Sequence, residues 1–143
     1  MTLSVYLASR FSRLPELNRY RAELEDAGIA VTSRWLLGGH EWVGTPEEAI
    51  PRDHLARFAT EDLEDIDAAD VLVAFVDQPS TRGGLWTELG YAIGRGKPVI
   101  VIGQSPNIFT ALPTLIHVES WASALHLLWN ADATVSAPLA EAV

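Results

Sequence analysis

Glu88 lies in the run Leu85-Trp86-Thr87-Glu88-Leu89-Gly90-Tyr91-Ala92-Ile93, in which Leu85, Leu89, Ala92 and Ile93 recur at helical spacing. It stands three residues after Leu85 and four before Ala92, so its carboxylate shares the apolar stripe. Glutamate is seldom buried without a partner. Two readings are open. Glu88 either faces a cleft, where shielding from water tunes its pKa for work as a base or nucleophile, or it is a boundary side chain that reaches solvent. A second group of acids fills residues 61–70, with six acids (Glu61, Asp62, Glu64, Asp65, Asp67, Asp70) in ten positions. Most must form a solvated helix face, and periodicity does not say which one points at a ligand. A third segment, Ala8-Ser9-Arg10-Phe11-Ser12-Arg13, joins hydroxyls and arginines at a helix start, a fair site for an anion. It lacks the glycines and lysine of a P-loop, and Ser12 reads equally as a helix cap. Trp35 and Trp42 flank a loop containing Gly38, Gly39 and His40. They serve either to stack on a flat ring or to fill the core. The four histidines have no metal-binding spacing and there is no cysteine, so no metal is expected. No Gly-x-Ser-x-Gly elbow is present.

The elements that must position these groups follow from pattern. Residues 3–8 read as a buried strand. A helix opens at Ser12 and Pro15, carries Leu14, Leu17, Leu24 and Ala27, and stops at Gly28. Residues 29–35 are β-branched and aromatic, a second strand. Pro51 starts a second helix, 71–76 is a third strand, 85–94 a third helix, 99–102 a fourth strand, 115–118 a short fifth, and 121–129 a last helix. Residues 37–50, 77–84 and 103–112 are loops. Alternation of apolar strands with helices means a mostly parallel sheet covered on both faces. Ligands in such sheets sit at the carboxyl ends of the strands. One domain is expected over 1–131, with 132–143 a frayed tail.

The net charge is −9, from 19 acids against 10 bases. That argues against a nucleic-acid polymer as partner. Nine of the ten bases are arginine, five of them before residue 35, and a few placed guanidiniums still suit one small phosphate. No apolar run nears the ~20 residues that span a bilayer, and no leader is evident. A cytoplasmic protein without disulfides is expected.

Three segments together resemble the nucleoside 2-deoxyribosyltransferase superfamily, which includes 2-deoxynucleoside 5-monophosphate N-glycosidases. They are Val5-Tyr6-Leu7-Ala8, Asp62 to Val71, and Gly84-Leu85-Trp86-Thr87-Glu88-Leu89-Gly90-Tyr91-Ala92 followed by Gly96-Lys97-Pro98-Val99. The resemblance runs from residue 3 to about 102 and implies a single-domain, flavodoxin-like (Rossmann-like) three-layer sandwich around a five-stranded, mostly parallel sheet. It puts the nucleophile on Glu88, a tyrosine that holds it on Tyr6, and the acid near the sugar and leaving base on Asp62. It implies cleavage of the N-glycosidic bond of a nucleoside or nucleoside 5′-monophosphate through a pentosyl-Glu88 intermediate, with the sugar passed to water or to another base. No cofactor is implied. Where transferases of the family place an acid for the sugar 5′-hydroxyl, this chain has Gln78-Pro79-Ser80 with Thr81-Arg82 added. Ser80 takes the 5′ contact by motif and Arg82 by spacing, and an arginine there favours phosphate. Ser9, Arg10, Ser12 and Arg13 would support it, with Gly84 at the helix start, while Phe11, Trp35 and Trp42 would line the base pocket. The family completes its site from a neighbouring subunit, for which Asn107 is the donor read here, so a homodimer or higher homo-oligomer is implied. The rival reading is a non-catalytic nucleotide-binding or sensor domain on the same fold.

Overall fold

The computed structural model describes residues 2–38, 44–79, 83–104 and 107–136. Five parallel strands, β1 (Ser4–Ala8), β2 (Ala30–Val31), β3 (Val71–Phe75), β4 (Val99–Ile102) and β5 (Ile116–Val118), lie in the order β2-β1-β3-β4-β5. The helices are α1 (Leu14–Asp26), α2 (Arg52–Ala68), α3 (Gly84–Gly94) and α4 (Trp121–Ser136). Pairing is parallel throughout, so the sheet is wholly parallel, within the expected class. Strand order reverses at β1, whose two neighbours are β2 and β3. The crevice at their carboxyl ends is where a ligand binds in such sheets.

The alternation of β1 decides which side chains meet. Val5 and Leu7 pack in the layer with Leu17 and Leu24 of α1 and Ala124 and Leu128 of α4. Tyr6 and Ala8 face the other layer, with Ile66 of α2 and Leu85, Leu89 and Ala92 of α3. A strand reverses its side chains every residue, so Tyr6 comes to the helices that carry Asp62 and Glu88. Those two helices are joined near their ends by Asp67, which accepts from Tyr91 (2.8 Å) and from Arg95 (3.0 Å). Lys97 Nζ donates to the carbonyls of Asp67 and Ala69 at 2.8 and 2.7 Å, which satisfies acceptors left open at the end of α2.

Three boundaries differ from expectation. The second strand is two residues long, and Arg34–Leu37 forms a 3₁₀ turn. The backbone groups of Leu7 that a longer strand would pair are taken by side chains: Ser33 Oγ accepts the Leu7 N–H at 2.7 Å, and Trp35 Nε1 donates to the Leu7 carbonyl at 2.9 Å. The first helix begins at Leu14 after a 3₁₀ turn over Phe11–Arg13, and Ser12 caps neither. The last helix runs on to Ser136, past the point where the tail was expected, and Asp132 accepts the Leu3 N–H at 3.0 Å. No described helix is long and apolar enough to cross a membrane.

Candidate active site

Glu88 stands in the second turn of α3. Gly83 precedes that helix with a φ of +82°, a conformation glycine adopts without strain. The Thr87 N–H and Oγ1 both return to the Gly83 carbonyl. Glu88 is half-buried, and Tyr6, wholly buried beneath it, donates its hydroxyl to Glu88 Oε2. Burial raises the Glu88 pKa to about 8; the Tyr6 hydrogen bond works against that rise and the Asp62 charge adds to it. Burial, then the Glu88 and Asp62 charges, pushes the Tyr6 hydroxyl far above its ordinary range, so it remains a donor. Asp62, half-buried on α2, is raised to about 7, chiefly by burial and then by Asp65 and Glu61, while Arg34 opposes the rise. A tyrosine that fixes one oxygen of a shielded carboxylate, with a second acid able to hold a proton near neutrality, is equipped for nucleophilic attack and general acid catalysis.

A model of the nucleoside 2-deoxyribosyltransferase family matches residues 5–111, a span that holds Tyr6, Asp62 and Glu88. The chain belongs to this family.

Solved structures agree on the fold. A 2-deoxyribosyltransferase from Bacillus psychrosaccharolyticus is 24% identical, with a TM-score of 0.64, covering 85% of this chain and 90% of that one. A conserved protein from Enterococcus faecalis has the same TM-score at 16% identity, covering 92% and 99%. A CMP N-glycosidase from Clostridium botulinum gives a TM-score of 0.54 at 19% identity, covering 87% and 97%. Curated protein sequences yield no significant match.

Within this deoxyribosyltransferase fold, the segment after β1 divides into free and occupied groups. Ser9 is buried, and its hydroxyl has no hydrogen-bond partner among the described residues. Arg10 is half-buried and forms no ion pair among them; Ser12 is exposed. Arg13, expected to bind substrate, is instead engaged with the protein. It is 7% exposed, donates to Asp77 at 2.6 and 3.3 Å and to Glu16 at 3.0 and 2.8 Å, and lies over the Phe75 ring at 5.3 Å. The hydrogen bond from Arg13 is the main cause that holds Glu16 down at about 2. With all three guanidinium nitrogens committed to two carboxylates, Arg13 has little left for a phosphate. It ties the end of β3 to the start of α1.

Phe11 is 42% exposed and stands 6.2 Å from the Trp35 ring. Trp35 is half-buried, packs against both core layers and spends its indole N–H on Leu7, so it both fills the core and presents an edge beside Phe11. Gly84 is exposed at the start of α3. Asn107 accepts the Phe109 N–H at 2.8 Å and so caps a 3₁₀ turn on the loop after β4. Trp42, Ser80 and Arg82 lie outside the described residues. Asp70 does not join the site. It accepts the Ser4 N–H at 2.9 Å at the opposite end of the sheet.

Sequence reasoning assigned no site role to Asp77, Asp65 or Arg34. Each takes its role from a partner more than twenty residues away, and local pattern carries no signal for such pairs.

Proposed function

We propose that this protein cleaves the N-glycosidic bond of a nucleoside 5′-monophosphate through a covalent pentosyl intermediate on Glu88. The observation that carries the reading is the Tyr6–Glu88 hydrogen bond beside Asp62. Tyr6 occupies Oε2, which leaves Oε1 as the attacking oxygen. Oε1 bonds to the anomeric carbon as the carbon–nitrogen bond breaks, and the electron pair passes to the base nitrogen. Asp62 gives that base its proton. Water or a second base then attacks the same carbon, and the Glu88 carboxylate leaves. Ser9, Arg10 and Ser12 support a 5′-phosphate, with Ser80 or Arg82 from the following loop. The reading needs no metal or cofactor.

The cleavage step requires Glu88 ionised and Asp62 protonated. The two acids act as a coupled pair with apparent values of about 7 and about 8, and the productive form holds one proton between them. A bell-shaped kcat/KM profile with its top between those values is expected.

We also place the enzyme in the cytoplasm, where free nucleotides are kept, and propose that it works as a homodimer. In support, Ile116 of β5 and Leu127 and Trp129 of α4 are exposed. The stretch from 107 to 130 has Glu119 as its lone charged side chain, so two acidic copies can approach there.

The test is chromatography of bases released from a panel of nucleosides and their 5′-monophosphates, with and without an acceptor base. Release from monophosphates without acceptor identifies a hydrolase, and a new nucleoside formed only with acceptor identifies a transferase. Glu88→Ala is expected to abolish both and to lose the pentosyl adduct seen by mass spectrometry. Silence across the whole panel from the folded wild type would overturn the proposal in favour of a binding domain.

A further inference from the structure

The acidic turn that carries Asp62 is gripped by one arginine from another segment. Arg34 begins the 3₁₀ turn that carries Trp35. Its backbone N–H donates to Asp65 Oδ2 at 2.9 Å and its Nε to Oδ1 at 2.8 Å. Its second guanidinium arm reaches Glu64 at 3.0 Å and the Glu61 carbonyl at 3.4 Å. Thr32 Oγ1 adds a bond to the Asp65 carbonyl at 2.8 Å. Asp65 is 6% exposed, and a buried carboxylate persists only where donors satisfy it. The span from Glu61 to Asp65 is therefore tied to the segment that enters Trp35, and Asp62 lies inside it.

We propose that Arg34 is a positioning residue for this site: its grip on Asp65 locks the Trp35 segment against the turn that carries Asp62, and it supplies a cation within acidic surroundings. The inference rests on the reading of Asp62 as the acid that serves the leaving base. It assigns one side chain to two tasks, seating the aromatic wall of the base pocket and setting the charge near the proton donor. The charged and titratable groups around Asp62 are Glu61 and Asp65 of α2, Arg34, Tyr6 of β1 and Glu88 of α3. The acids favour the protonated form of Asp62 and the guanidinium opposes them, so its removal raises the Asp62 midpoint.

The experiment is carbon-13 carboxyl NMR titration of the full chain, the Asp62 signal being assigned by its loss in Asp62→Asn. It needs no turnover and is paired with steady-state kinetics on whichever substrate the panel identifies. Arg34→Gln is expected to move the Asp62 midpoint up by about half a pH unit or more and to raise KM several-fold. Asp65→Asn removes an anion and is expected to move the midpoint down. Arg34→Lys keeps the charge but loses the planar fork, so it is expected to restore most of the midpoint and to leave KM high. A folded Arg34→Gln with midpoint and KM unchanged overturns the inference. Where Arg34→Gln does not fold, Arg34→Lys decides, and a wild-type KM in that variant overturns it. Midpoint shifts in a chain that releases no base would sustain the charge role of Arg34 and sink the proposed activity instead.

Discussion

Glu88 keeps a carboxylate partly out of water, beside a tyrosine that donates to it and a second acid that repels it. Its folded pKa of about 8 exceeds the ordinary value of 4.5. The folded chain thus binds this proton more tightly than the unfolded chain. The stability tied to it is complete below the unfolded value and is lost as pH rises through about 8. Glu88→Gln, which cannot ionise, is expected to match the wild type in urea melts at about pH 4.5 and to exceed it by about 1–3 kcal/mol at about pH 8.5. Equal stability at both pH values would show that the carboxylate incurs no burial cost and would remove the physical reason for its raised pKa. Tyr6→Phe removes a hydrogen bond that favours the ionised form, so the Glu88 midpoint is expected to rise further. Because the Glu88 value lies above that of Asp62, the alkaline limb of the kcat/KM profile should move up with it, and an unmoved alkaline limb would separate Tyr6 from Glu88.

At the scale of elements, the loop that enters α3 is held where it leaves β3. Asp77 is bound by Arg13 on one side. On the other, Gly103 at the end of β4 has a φ of +98°, and a Cβ there would stand 2.7 Å from the Asp77 Cα and Cβ. Gly103→Ala must therefore shift the backbone of Asp77 as well as adopt a strained φ. A loss of about 2 kcal/mol or more is expected, together with a fall in kcat/KM as the loop before Glu88 moves. Gly28 is the control: it has a φ of +83° and nothing within 4 Å of its added Cβ, so Gly28→Ala is expected to cost about 1 kcal/mol and to leave kcat/KM alone. Equal effects from the two variants would show that the Asp77 contact is unimportant.

The whole molecule brings an acidic chain of net charge −9 to a face nearly free of charge around β5 and α4. Trp129, 59% exposed in the single chain, would be covered in the proposed dimer. Sedimentation of the wild type is expected at twice the chain mass of 15.6 kDa, and Trp129→Asp at the monomer value, since a carboxylate on a buried apolar contact is costly. A wild type that sediments as a monomer at micromolar concentration would end the dimer proposal.

The sequence by itself determined the sandwich, because apolar runs at periods of 2 and 3.6 are local and each element must bury its own face. It also marked Glu88 as a carboxylate on an apolar stripe, and the resemblance carried by its motif picked Asp62 out of six acids. Only the tertiary structure decided which charges were free. Arg13 and Asp77 are 64 residues apart, Tyr6 and Glu88 are 82 apart, and Arg34 and Asp65 are 31 apart. Each pair meets because the strand order β2-β1-β3 lays their segments side by side. A side chain's partner follows from that order, whereas spacing along the chain reports the helix or strand on which it rides. Arg13, read as a phosphate ligand, is held between Glu16 and Asp77, and Arg34, counted only as one of five early arginines, grips Asp65 beside Asp62.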